Sequence, residues 1–97
     1  MPPTHRYSPE LLRALRNNIP IGQLIADLGI VSKLSDGYYR FLCPQCGDFH
    51  TATNPLTNLA RCFRCGENFN PIDLVMITRG LNFTEAVQFL LPYSNPP

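Results

Sequence analysis

The chain has 97 residues, 44% apolar and 15% charged, which suits one small globular domain whose core is marginal without a covalent or metal staple. A formal charge of +1 excludes a polycation that holds nucleic acid by bulk electrostatics, so any such binding must rest on a local patch. No run approaches the roughly 20 apolar residues of a membrane span, and the N-terminus lacks the basic-then-apolar order of a secretory signal. A reducing cytoplasm is the expected setting, and disulfides are disfavoured there.

Prolines gather at both ends and at element boundaries. Residues 1–7 therefore read as a flexible tail, 8–92 as the folded domain and 93–97 as a tail or linker. "SPELLRALRNN" opens a first helix: Ser8 is a cap, Pro9 takes the first helical position, and Leu11, Leu12 and Leu15 recur at helical spacing. A second helix is expected within 19–30, with Ile21, Leu24, Ile25 and Leu28 on one face and Gly29 as its stop. Asp36-Gly37 is a turn signal, and Tyr38 to Leu42 is a strand-prone aromatic run. Residues 59–63 alternate as Leu, Ala, Arg, Cys, Phe, and are expected to pair with 38–42. The Thr/Asn/Pro-rich stretch between them predicts a loop with at most one short strand. Asn70-Pro71-Ile72-Asp73 marks a helix start, with Ile72, Val75 and Met76 as its apolar stripe and Gly80 as its end. For the last helix Thr84 is the expected cap, Ala86, Phe89 and Leu90 the packing residues, and Pro92 the stop.

All four cysteines fall in two C-x-x-C-G knuckles, Cys43/Cys46 and Cys62/Cys65, separated by fifteen residues. A C-x-x-C pair cannot readily close on itself without strain, and it serves redox chemistry or a metal. A redox dithiol needs one such pair; two at this spacing match a four-sulfur zinc site. Gly47 and Gly66 suit a tight turn that aims backbone N–H groups at sulfur. Four thiolates complete a tetrahedron and leave no position for water, so the expected cofactor is one structural Zn²⁺. His50 is the alternative ligand, although it reads more simply as a loop histidine.

From about Ile19 to Leu91 the chain resembles the zinc-binding domain of bacterial and phage-type DNA primases. "CFRCGENFNPIDLVMITRGLNFTEAVQFLL" is similar to that family's Cys-Phe-x-Cys-Gly, spacer, Ile-Asp, helix and Phe-x-Glu-Ala run. "YYRFLCPQC" is similar to its Tyr-x-x-Leu-Cys-Pro run. Cys46 stands where the usual bacterial pattern has histidine, as in the all-cysteine ribbons of some phage primase-helicases. "DFHTATNP" replaces the family's Lys-Thr-Pro-Ser motif. The resemblance implies a non-catalytic zinc ribbon that helps to read a single-stranded DNA template beside a separate catalytic domain, whose metal-binding fold this chain lacks.

The parts for such a role are Arg40, Arg61, Arg64 and Lys33, interleaved with Tyr38, Tyr39, Phe41 and Phe63: cations to follow phosphate and aromatic faces for bases. The competing readings are that Tyr39 and Phe63 are core residues and that the arginines are merely solvated. The expected fold is a small α+β domain, a zinc ribbon with a short antiparallel sheet flanked by N- and C-terminal helices. The expected partners are single-stranded DNA, held weakly, and a catalytic primase domain or replicative helicase. The rival from another class is a protein-docking ribbon that uses its terminal helices to hold a helicase, polymerase or primase subunit. A redox enzyme is the third class.

Overall fold

The computed structural model describes residues 7–35 and 37–94; the expected tail residues 1–6 and 95–97, and Asp36 of the turn signal, lie outside them. Elements follow in the order α1 (Pro9–Asn17), α2 (Ile21–Asp27), β1 (Ser32–Ser35), β2 (Tyr38–Phe41), β3 (Thr51–Asn54), β4 (Leu59–Cys62), β5 (Asn68–Phe69), α3 (Pro71–Arg79) and α4 (Phe83–Ser94). The result is the expected α+β domain, with two small antiparallel sheets that fall in chain order between an N-terminal and a C-terminal helix pair, and the two helix pairs pack on each other.

Local chemistry accounts for most helix ends. Ser8 accepts from the Leu11 N–H and Pro9 opens α1. α2 buries Ile21, Leu24, Ile25 and Leu28, as their spacing predicts. Asn70 and Asp73 form a reciprocal capping box at α3, and Gly80 ends that helix in a left-handed conformation. α4 departs from expectation at both ends. Its cap is Asn82, not Thr84: the Asn82 side chain accepts from the Glu85 N–H at 2.8 Å while Glu85 accepts from the Asn82 N–H at 3.0 Å. The reciprocal pair outcompetes the single hydroxyl because it satisfies two orphan donors at once. The helix also runs through Pro92 to Ser94. A proline in the last turn removes one backbone bond, and the Tyr93 hydroxyl fastens that turn by donating to Asp27 at 2.7 Å. Val87 fills the core position expected of Phe89, which is 37% exposed.

The strand pairing differs from the predicted one. β2 pairs with β1, with Lys33 opposite Arg40 and Leu34 opposite Tyr39. β4 pairs with β3 on one side and β5 on the other, placing Arg61 opposite both Ala52 and Asn68. Two local hairpins win because each closes over a short turn, at a lower loop-closure cost than the distant pairing of 38–42 with 59–63. The sheets meet at Thr51: its fully buried hydroxyl donates to the Phe41 carbonyl at 2.7 Å and accepts from the Phe41 N–H at 2.8 Å, and its carbonyl accepts from the Arg40 guanidinium. The core gathers the inner sheet faces and the helices, with Leu15, Leu24, Phe41, Phe69, Leu74 and Leu90 all buried. Tyr7 packs against it from just before α1.

Candidate metal centre and nucleic-acid interface

The two knuckles repeat one geometry. In the first, the Cys43 N–H donates to the Asp48 carbonyl at 2.9 Å, the Gly47 N–H to the Cys43 carbonyl at 2.9 Å, and the Cys46 N–H points at Cys43 Sγ at 3.5 Å. In the second, Cys62 donates to Glu67 at 3.0 Å, Gly66 to Cys62 at 2.9 Å, and Cys65 to Cys62 Sγ at 3.5 Å. Gly47 and Gly66 have φ of 75° and 76°, which a side chain would strain. β2 leads into the first knuckle, while β4 and β5 flank the second, so the sheets bring the two pairs face to face.

The four Sγ atoms of Cys43, Cys46, Cys62 and Cys65 all lie within 4.8 Å of one another. Across the knuckles, Cys43 is 3.8 Å from Cys65 and Cys46 is 3.5 Å from Cys62. Sulfurs about 2.3 Å from a common ion in a tetrahedron stand roughly 3.8 Å apart. The cluster can therefore hold a metal ion, and the donor set fits zinc. All four cysteines are free, and His50 is not in the cluster. Without a cation, burial pushes the Cys43 thiol up to about 12. Burial also works against the Cys62 thiolate, but the Cys65 N–H, the Cys46 side chain and the Arg64 N–H outweigh it and bring Cys62 down to about 7. A cation entering the cluster must thus displace protons.

The basic and aromatic candidates separate into two groups. Phe63 is 51% exposed, beside the outer face of the β3–β4–β5 sheet. The Arg61 guanidinium carbon is 5.5 Å from the Phe63 ring centroid, and the His50 ring is 5.7 Å from it. Arg61, Phe63, Tyr39 and Leu34 line one cleft of about 730 Å³ on that face. Arg40, His50 and Phe63 line an adjoining one of about 310 Å³. Arg40 is tethered here by its donation to the Thr51 carbonyl at 2.7 Å. Tyr39 is half-buried, with its hydroxyl 2.6 Å from that of Ser32, and serves as both wall and core. Arg64 and Lys33 stand apart from both clefts. Arg64 lies 3.6 Å from Asp48 across the knuckles, and the Lys33 ammonium sits 5.0 Å over the Phe49 ring.

Asn68 joins this face without having been singled out by the sequence, and so does His50, which the sequence offered only as an alternative metal ligand or a loop histidine. The signal available was alternation: Thr51 and Thr53 belong to a strand, so His50 and Ala52 share its other side. None of the described residues lining the two clefts is acidic, whereas Glu67 and Asp73 line a separate cleft beside α3. Among its described residues the face thus carries cations and no acid, although the chain is nearly neutral.

No family model matches the chain. It is 30% identical over 90 residues to the DNA primase of Chlamydia trachomatis serovar D, and equally to that of Chlamydia muridarum. The similarity is to DNA primases. It takes in 87% of this chain and 14% of each relative, so the chain spans about a seventh of the length of the curated proteins it matches. This distant likeness and a cysteine cluster able to hold a metal agree with a primase-like metal module. No helix among the described residues is long and apolar enough to cross a membrane.

Proposed function

We propose that this domain is a non-catalytic, primase-type zinc ribbon that binds single-stranded template DNA and supports primer synthesis beside a catalytic primase domain or a replicative helicase in the cytoplasm. In this reading Cys43, Cys46, Cys62 and Cys65 hold one structural Zn²⁺, and the ion's work is to lock the two knuckles so that the sheet face keeps its shape. The observation that carries the reading is the exposed Phe63 ring, flanked by Arg61 and His50 on a face with no acid among its described lining residues. A base stacked on Phe63 contributes about 1–3 kcal/mol. The two arginines on this face, Arg40 and Arg61, supply a shallow salt slope of about −0.7 per neutralised phosphate. Such a complex is weak, tens of micromolar or looser by comparison with nonspecific binding at roughly 10⁻⁴–10⁻⁶ M. Attachment to a catalytic partner compensates by raising the local concentration.

The test is chemical-shift mapping of the zinc-loaded domain with labelled single-stranded oligonucleotides at low salt. Shifts are expected at Tyr39, Arg40, His50, Arg61 and Phe63, and Arg61→Glu should abolish them. The rival docking reading rests on Ile77, Phe83 and Phe89, exposed at 40%, 43% and 37% on α3 and α4. Shifts absent from the sheet face at low salt would favour it.

A further inference from the structure

The cleft holding Arg61 is open at both ends. Toward the knuckles it shares Ala52 and Phe63 with the Arg40–His50 cleft. Toward the helices it shares Tyr39, Thr53 and Pro55 with a third cleft, of about 420 Å³, walled by Asn17 and Asn18 at the end of α1 and by Gln23 in α2. The three form one track across the outer face, and its chemistry changes along its length. Cations and aromatic rings line the ribbon end. The helix end has no charged residue among its described lining, and presents carboxamides instead.

Carboxamides are poor phosphate anchors but good readers of base edges, since each offers a donor and an acceptor side by side. Neither the Asn17 nor the Asn18 side chain makes a hydrogen bond among the described residues, and both are exposed. Gln23 donates one N–H to Asp27 at 2.9 Å and keeps its oxygen available. The backbone at the junction of α1 and α2 is clasped by one side chain. Buried Asn58 accepts from the Ile21 N–H at 2.9 Å and donates to the Arg16 and Ile19 carbonyls at 2.8 and 2.6 Å. A backbone already held in place lowers the ordering cost when the amides it carries engage a ligand.

We infer that the single strand does not end on the ribbon but continues along this track to the junction of α1 and α2, where Asn17, Asn18 and Gln23 read base edges and give the domain its sequence preference. The inference rests on the single-strand reading above. Two consequences separate it from that reading: affinity must rise once an oligonucleotide is long enough to reach that junction, and the added affinity must depend on the base.

Fluorescence anisotropy of the zinc-loaded domain with labelled dA, dC, dG and dT oligonucleotides of about two to eight nucleotides tests both. The wild type should gain about tenfold on the longer oligonucleotides for its preferred base, the scale of one good base-edge contact. Asn17→Ala with Asn18→Ala should erase that gain and level the four bases while leaving the shortest oligonucleotides bound as before. Arg61→Ala with Phe63→Ala should weaken every length. If the asparagine double variant keeps both the length gain and the base preference, the inference falls and the ribbon reading stands. If the wild type binds no oligonucleotide at low salt, both fall. All four substituted side chains are exposed, so unchanged thermal melts are expected to accompany these results.

Discussion

The side-chain oxygen of Asn58, on the β3–β4 turn, accepts a hydrogen bond from the backbone N–H of Ile21 at the start of α2, 37 residues earlier. The same carboxamide donates to the carbonyls of Arg16 in α1 and Ile19 in the α1–α2 linker, so one side chain joins the N-terminal helices to the sheet. Asn58 also has φ of 55°, a conformation that asparagine tolerates better than most residues. Asn58→Ala leaves three backbone groups unpaired and should destabilise the domain by about 2–4 kcal/mol. Asn58→Asp keeps the acceptor and loses both donations, so a large loss is expected there too. Denaturant unfolding checks this; a midpoint unmoved in both variants would show that the clasp contributes nothing.

The cysteine cluster should take up one Zn²⁺ per chain, with binding coupled to folding on the order of 10 kcal/mol. Chelation should loosen both knuckles. Because the metal-free Cys62 titrates at about 7 and Cys43 at about 12, zinc must displace protons at neutral pH, and affinity should rise with pH between 6 and 8. Native mass spectrometry counts the ion, and a pH indicator counts the protons. Uptake without proton release would contradict the geometry described.

Tyr93 and Asp27 tie the end of α4 to the end of α2. The Tyr93 hydroxyl, then Gln23, holds the Asp27 carboxyl below its ordinary 3.8, while burial, then Asp27, holds the Tyr93 phenol above its ordinary 10.0. A depressed carboxyl stabilises the fold above its ordinary value, and that contribution is lost as pH falls through the folded one. A raised phenol stabilises below its ordinary value, and is lost as pH rises through the folded one. Melts of wild type and Tyr93→Phe should therefore differ most between about pH 4 and 10 and converge at both extremes. A gap constant with pH would assign the effect to packing alone.

Phe63 and Ile72 should behave oppositely. Phe63 is 51% exposed, so Phe63→Ala should leave the melt nearly unchanged while weakening oligonucleotide binding by about 1–3 kcal/mol. Ile72 is 3% exposed at the start of α3, so Ile72→Ala should cost about 2–4 kcal/mol of stability. Its neighbour Asn70→Ala should cost about 1 kcal/mol by losing the capping box. A large melt shift in Phe63→Ala would return that ring to the core.

Arg61 and Arg64 should also separate. Arg64 leans toward Asp48 and lies off the track, whereas Arg61 lies on it. Arg61→Ala should reduce both affinity and salt slope, the latter by about 0.7, while Arg64→Ala should change each much less. Equal losses would place the strand across the knuckle tips instead.

Features set by neighbouring residues were legible in the sequence alone. The starts of α1 and α3 follow from a cap and a proline at fixed offsets, and both sulfur knuckles from C-x-x-C-G; these interactions close within about four residues, so spacing encodes them. The α2 core face was legible for the same reason, since helical period decides which side chains point together. Strand pairing was not. Residues 38–42 and 59–63 are each sound strands, and only the competition between a local partner and a distant one chose β1 for β2 and β3 for β4. That choice decided which arginines share a surface: it put Arg61 and His50 beside Phe63 and left Lys33 and Arg64 elsewhere. The clasp of Asn58 on the α1–α2 linker lay equally beyond reach, because a buried amide and the carbonyls it satisfies share no pattern across some forty positions of chain, and their bonds exist only after hydrophobic collapse has brought them together and excluded water.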